Sequence, residues 1–202
     1  MVLNILILYK KSQLMSIKGI YIHYINGARG DFLASILSNT EKGFKFHLSK
    51  KSQISYVKQH HLSQSKFPEF PEVDITNYLK IIIIPTTPRC LIEIAYLRMV
   101  KKFSDSVSPE NLKWQTHGIY EDICTDKKNY NNYDIIVPFK NLFDINYIKD
   151  LYYKIHGVGL ADDEVTLIKE NIDQQPKLED NSEFINMIAL LLAKYKDFKI
   201  EL

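Results

Sequence analysis

The sequence predicts an α/β fold: a central parallel sheet with helices on both faces, a three-layer sandwich. Three observations predict it. Ile81-Ile82-Ile83-Ile84 is a continuous β-branched run ended by Pro85, the pattern of a strand covered on both faces. Gly19 to Leu37 reads as a buried strand, a tight turn with two glycines, and a helix with one apolar face. Further along, apolar runs alternate with helical periods, which favours parallel strands joined by helices.

The elements follow in order. Ile20–Ile25 is the first strand, and Phe32, Leu33, Ile36 and Leu37 mark one face of the first helix. A short strand is expected over Phe44–Leu48, whereas Ile54–His61 suits strand and helix equally. Phe67–Pro71 is a rigid loop with two prolines, and Asp74 suits the cap of a short helical turn before Leu79. After Ile81–Ile84, Pro88 sits where a helix starts. That helix is expected to run to about Phe103, with Ile92, Ala95, Tyr96, Met99 and Phe103 inward. Ser104–Gly118 reads as polar and irregular. Tyr133–Val137 is a strand stopped by Pro138. Asp144 caps a helix carrying Ile145, Ile148, Leu151 and Ile155, and Gly157 ends it. Helices follow over Ala161–Ile172 and Asn181–Phe198, the last expected to pack on the sheet through Ile185, Ile188, Leu192 and Tyr195.

At 202 residues, with 46% hydrophobic and 25% charged residues, the chain suits one domain over residues 1–202. Residues 1–14 read equally as part of it or as an N-terminal extension, because Met15 directly precedes the first good strand. A net charge of +2 is too small to argue for nucleic acid, and none is expected as a partner. Cys90 and Cys124 have neither metal-ligand nor disulfide-framework spacing, so a reducing compartment is expected. No apolar run has the length of a membrane span, and basic residues follow Val2–Leu8 rather than precede it. No membrane partner and a cytoplasmic location are therefore expected.

Three blocks carry side chains suited to chemistry. The first is the turn Gly27-Ala28-Arg29-Gly30-Asp31-Phe32, at the start of a helix. Backbone N–H groups and the positive end of a helix dipole make such a turn an anion site. Arg29 adds a planar clamp for phosphate or sulfate oxygens. Asp31 is negative and opposes an anion, and helix capping accounts for it without a ligand. The second block is Lys58-Gln59-His60-His61-Leu62. In a strand the two histidines face opposite sides, so one serves as a general base, or both lie on the surface. The third is Thr86-Thr87-Pro88-Arg89, after the Ile81–Ile84 strand. Ligands of open parallel sheets bind outside the carboxyl ends of the strands, where hydroxyls and a guanidinium suit a second phosphate. The alternative is that the threonines satisfy the turn and Arg89 is solvated.

In this order the blocks resemble the sulfotransferase family, which binds 3′-phosphoadenosine 5′-phosphosulfate on a P-loop NTPase-like fold. Gly30, Phe32 and Leu33 match its phosphosulfate loop, with Arg29 in place of the lysine's charge and Asp31 in place of a threonine. Lys58 with His60, or His61 with Leu62, matches the segment of its catalytic histidine. Ile81–Ile84 and Thr87-Pro88-Arg89 resemble the strand and turn at its 3′-phosphate, although Thr86 stands at the arginine position and the serine position falls near Ile94. Asp134–Asp144 is similar to a later strand and turn of small sulfotransferase-like proteins of viruses and phages.

The resemblance implies sulfuryl transfer from that nucleotide to a hydroxyl acceptor, a sugar for example, without a metal. His60 or His61 takes the acceptor's proton. Gly27, Ala28, Arg29, Gly30, Asp31 and Phe32 surround the phosphosulfate, and Thr86, Thr87 and Arg89 the second phosphate. The acceptor pocket is expected from Phe67–Pro71 and from Ser104–Gly118 with Trp114 and His117. Two rival readings are a non-catalytic binding member of the fold and a P-loop nucleotide kinase. The kinase lacks its Gly-Lys-Ser/Thr signature here. Oligomeric state has no signal in the sequence.

Overall fold

The computed structural model describes residues 19–25, 27–38, 55–59, 78–102, 108–126, 130, 132–178 and 182–200. The expected extension over residues 1–14, the expected strand Phe44–Leu48, His60, His61, the Phe67–Pro71 loop and Asp74 lie outside these residues.

The strands are β1 (Gly19–Tyr24), β2 (Ser55–Gln59), β3 (Tyr78–Ile84) and β4 (Ile135–Pro138). The helices are α1 (Gly30–Ser38), α2 (Pro88–Lys102), α3 (Pro109–Asp126), α4 (Ile145–His156), α5 (Asp162–Asp173) and α6 (Ile185–Lys194). Short 3-10 turns over Phe139–Phe143 and Ser182–Phe184 precede α4 and α6.

Among the described residues the sheet has four strands in the order β2-β1-β3-β4, each pair parallel. Ile22 is level with Lys58 on one side and Ile81 on the other, and Ile81 is level with Ile135. Successive strand residues face opposite sides. Residues 20–25 of β1 and its following residue, and residues 81–84 of β3, are all buried, so both faces of the two central strands are covered. Each such isoleucine contributes roughly 1.5–3 kcal/mol by leaving water. At the outer edge, Asp134 accepts from the Lys80 backbone N–H at 2.8 Å and donates its own N–H to the Lys80 carbonyl at 2.9 Å. That pair fixes where β4 starts against β3.

α1 is buried on more than the one expected face. Phe32, Leu33, Ala34, Ser35, Ile36 and Leu37 are all buried, because the helix is packed against β1, β2 and α4. α2 buries Ile92, Ala95, Tyr96 and Met99 as its period predicts, while Phe103 lies outside the described residues. α4 is capped as its sequence predicts: the Asp144 carboxylate accepts from Asn146 N–H at 2.9 Å. Gly157, at φ 71°, ends the helix and donates to the Tyr153 carbonyl.

Two expectations need correction. Of Ser104–Gly118, read as irregular, residues 109–118 belong to the helix α3. Its apolar stripe is one residue wide (Leu112, Ile119 and Ile123, with buried Thr116 between them), so the polar remainder hid the period. The last helix was expected to lie on the sheet over Asn181–Phe198. It is α6, ends at Lys194, and makes its main helix contacts with α2 and α3.

The α4 end carries a partly buried titratable group. The His156 ring stacks on Tyr152 at 4.3 Å between centroids. Burial lowers its pKa from the ordinary 6.5, against the opposing effect of the Leu37 backbone hydrogen bond. The folded chain therefore resists a proton that the unfolded chain accepts, and stability falls as pH drops through about 6.5. Urea unfolding midpoints are expected to decline from about pH 7 to pH 5, and His156→Asn is expected to flatten that decline. An unchanged slope in the variant would assign the acid sensitivity to other groups.

Candidate functional site

The turns after β1 and β3 lie side by side at the carboxyl edge of the sheet, because β1 and β3 are parallel neighbours. The Ala28 N–H donates to the Ile25 carbonyl at 2.8 Å and closes the first turn. Gly27 has φ 100°, and a Cβ there would stand 2.4 Å from the Ile94 carbonyl oxygen of α2. The glycine thus lets the turn backbone press directly onto α2. Gly30, the first residue of α1, meets the Tyr24 ring: a Cβ would stand 2.0 Å from it. Both glycines are required by packing within the chain.

Asp31 lies in the first turn of α1, where a negative charge favours the helix. Its carboxylate accepts from the Tyr24 hydroxyl at 2.9 Å. Arg29 has φ 59°, a left-handed conformation unusual for a residue with a side chain. Its carbonyl accepts from Leu33 N–H, so its backbone opens α1. Its side chain turns inward. The guanidinium lies 3.8 Å from the Phe32 ring centroid and 4.7 Å from that of Phe143, and Nη2 donates to Asn171 Oδ1 of α5 at 2.9 Å. Nη1 is buried without a hydrogen-bond partner. Desolvation pulls the pKa of Arg29 down to about 9, which leaves it charged at neutral pH.

In the β3 turn, Thr87 caps α2: its Oγ1 accepts from Cys90 N–H at 3.3 Å and donates to Cys90 Sγ at 3.2 Å. The Thr86 carbonyl accepts from Ile200 N–H at 3.4 Å, so the C-terminal segment crosses the end of β3. Arg89 Nε pairs with Glu93 Oε1 at 2.8 Å, with both side chains about a third exposed. Thr87 and Arg89 line a cleft of about 640 Å³ that also takes in Tyr96, Lys140, Phe143 and Lys177. The cleft lies past the carboxyl ends of β3 and β4, between the start of α2 and the segment after α5. This is where open parallel sheets bind ligands.

The structure brings Thr87 and Arg89 together with this cleft, and sets Arg29 behind it through their common neighbour Phe143. His60 and His61 lie outside the described residues; β2 ends at Gln59, level with His23 of β1. Trp114 and His117 are on α3 and neither lines the cleft. Trp114 is exposed, and His117 Nδ1 lies 3.0 Å from the Tyr195 hydroxyl. Sequence reasoning missed Asn171, Phe143, Lys140 and Tyr24. Phe143 and Lys140 sit in a segment singled out only as a strand and turn, and Asn171 in a helical period gives no local signal. Among the described residues no group of three or more His, Cys, Asp or Glu side chains is arranged to hold a metal, and no helix is long and apolar enough to cross a membrane.

Gly30→Ala is expected to destabilise the chain by about 1–3 kcal/mol, the usual cost of forcing atoms into a packed site. Tyr24→Ala in the same chain is expected to recover part of the loss by removing the ring that the methyl meets. Denaturant unfolding of the two single variants and the double variant measures the coupling, and strictly additive losses would contradict this packing. Comparisons of the chain with family models, curated proteins and solved structures gave no match.

Proposed function

We propose that the chain is a nucleotide-binding α/β protein of sulfotransferase-like, P-loop-like topology. Its ligand is an adenosine bisphosphate of the 3′-phosphoadenosine 5′-phosphosulfate type, held at the carboxyl edge of the sheet. The observation that carries the reading is the cleft on the Thr87–Arg89 helix start. It joins a guanidinium and two lysines, alongside the carboxylates of Glu93, Asp144 and Asp173, to the aromatic side chains of Tyr96 and Phe143, and the cations and rings suit a phosphorylated molecule with a flat ring. The parallel order of the sheet supports the same topology.

The residues fit the two halves of such a nucleotide unequally. Thr87, Arg89, Lys140 and Lys177 face the cleft and suit a phosphate on the ribose. At the β1 turn, the Asp31 carboxylate already complements the positive end of α1, and Arg29 Nη2 is engaged by Asn171. A phosphosulfate there meets like charge from Asp31. That arrangement favours binding without transfer over an efficient sulfuryl transferase.

The transferase remains the second reading, favoured by one observation. β2 runs parallel to β1, so the chain leaves its carboxyl end directly before His60 and His61. In that reading a histidine takes the acceptor's proton while the turn's N–H groups and Arg29 stabilise the departing phosphate. When bound, the nucleotide supplies the sulfuryl group.

3′-Phosphoadenosine 5′-phosphate is expected to raise the melting temperature more than ATP does, because a ligand of the native state stabilises it. Arg89→Ala is expected to weaken that nucleotide about tenfold or more, as for a lost charged hydrogen bond. No shift at millimolar nucleotide would sink the binding reading. For the transferase, the expected result is that His60→Ala or His61→Ala cuts sulfuryl turnover by about 100-fold while nucleotide affinity is kept. Absence of transfer to sugar and phenol acceptors by a chain that binds the nucleotide would leave the non-catalytic reading standing alone.

A further inference from the structure

We infer that the outward face of α6 is the contact surface for a second copy of this chain, the two copies pairing their α6 helices antiparallel about a two-fold axis. No residue lining the cleft belongs to α6, so the inference stands apart from the function proposed above.

Apart from Asn186 and Lys194, every residue of α6 is apolar, yet of its ten residues Leu191 alone is buried. Met187, Ile188 and Leu192 are half-buried and pack on the core beside it. That side of the helix meets α2 and α3. At about 100° per residue, Ile185, Asn186, Ala189, Leu190 and Ala193 share the opposite face, and all five are exposed. Ile185 is 61% and Leu190 65% exposed. Single exposed apolar residues are ordinary. A helix face made of them, with Asn186 as its one polar residue, marks a surface that another body covers.

Shape and charge name that body. Ala189 and Ala193 make a low strip along the face, with Ile185 on one flank and Leu190 on the other. A second α6 laid antiparallel sets its own Ile185 and Leu190 over the low strip of the first, large against small, and a two-fold axis makes the fit reciprocal. The ends then match in sign. Exposed Glu183 stands just before α6, and exposed Lys194 and Lys196 stand at and after its end. Asp197 and Lys199, further on, offset each other. Antiparallel pairing about a point between Ala189 and Leu190 sets Glu183 of each copy against Lys194 and Lys196 of the other, whereas parallel pairing sets like charges together. These charges also complement the helix field, and reversing them separates the two roles. A pair of helices this short buries less than the standard interface of about 800 Å² per partner, so the dimer is weak and exchanges readily.

The experiment is sedimentation velocity of the full chain from about 1 to 300 μM, which covers weak, transient association. A concentration-dependent monomer–dimer equilibrium is expected for the native chain. Leu190→Glu changes a side chain that is open to water in the single copy. It is expected to keep the melting temperature of the dilute chain and to weaken association about tenfold or more, because the dimer would bury two unpaired charges. Glu183→Lys is expected to weaken association about threefold or more, and so is the chain with Lys194→Glu and Lys196→Glu. Mixing these two variants is expected to restore native association, because each end of the mixed pair again joins opposite charges. A native chain that stays monomeric throughout overturns the inference, and so does a dimer that Leu190→Glu leaves intact. Weakened variants that do not recover on mixing overturn the antiparallel pairing. A monomeric full chain that dimerises once residues 1–14 are removed gives the face to the apolar Val2–Leu8 run instead and also overturns it.

Discussion

The contact between the Tyr24 ring and Gly30 sets the geometry of the candidate site. Because Gly30 has no side chain, the ring at the end of β1 lies against the first residue of α1. From there the Tyr24 hydroxyl reaches Asp31 and holds its carboxylate in the first helical turn. With α1 started so close to the strand, the connection must fold back tightly. Gly27 at φ 100° and Arg29 at φ 59° absorb that reversal. The reversal in turn sends the Arg29 side chain away from the turn, toward Phe143 and Asn171. One close approach between a ring and a backbone thus determines where a buried charge ends up.

How much of this was legible in the sequence depends on the range of the interaction. Local signals were readable: the β-branched run of β3, the cap at Asp144, the terminator at Gly157 and the glycine pair of the turn. α3 was hidden because its apolar stripe is narrow, yet its start was written in the chain. Ser108 Oγ accepts from Asn111 N–H, and Pro109 occupies the first helical position. The sequence singles out Gly27 and Gly30 for a ligand; in the fold their neighbours are Ile94 and Tyr24, from α2 and β1. The partners of Arg29 were not legible at all. Asn171 lies 142 residues away in sequence, and nothing local distinguishes it from a solvated helical asparagine.

The two arginines of the candidate site show what burial does to the same side chain. Arg89 pairs with Glu93 one helical turn on, with both partners about a third exposed, so water already screens its charge and the pair contributes little. Arg29 is 9% exposed and has no carboxylate partner among the described residues, and desolvation is what lowers its pKa. An anion that reaches it gains a charge-assisted hydrogen bond in surroundings where such bonds are strong.

Burial has a second consequence, for selectivity. A rim cation such as Arg89 interacts through water with any anion of suitable charge. A guanidinium enclosed by Phe32, Phe143 and Asn171 interacts only with a group that can shed its own water and fit between the rings. Size and hydrogen-bonding geometry then matter more than net charge, and a group with several acceptor oxygens on one centre meets both needs. Asp31 acts in the same direction. Held by Tyr24 at the start of α1, it offsets the helix field that would otherwise draw anions to the outer mouth of the turn. Among the described residues of the turn, the positive side chain is that of Arg29, and it lies on the inward side.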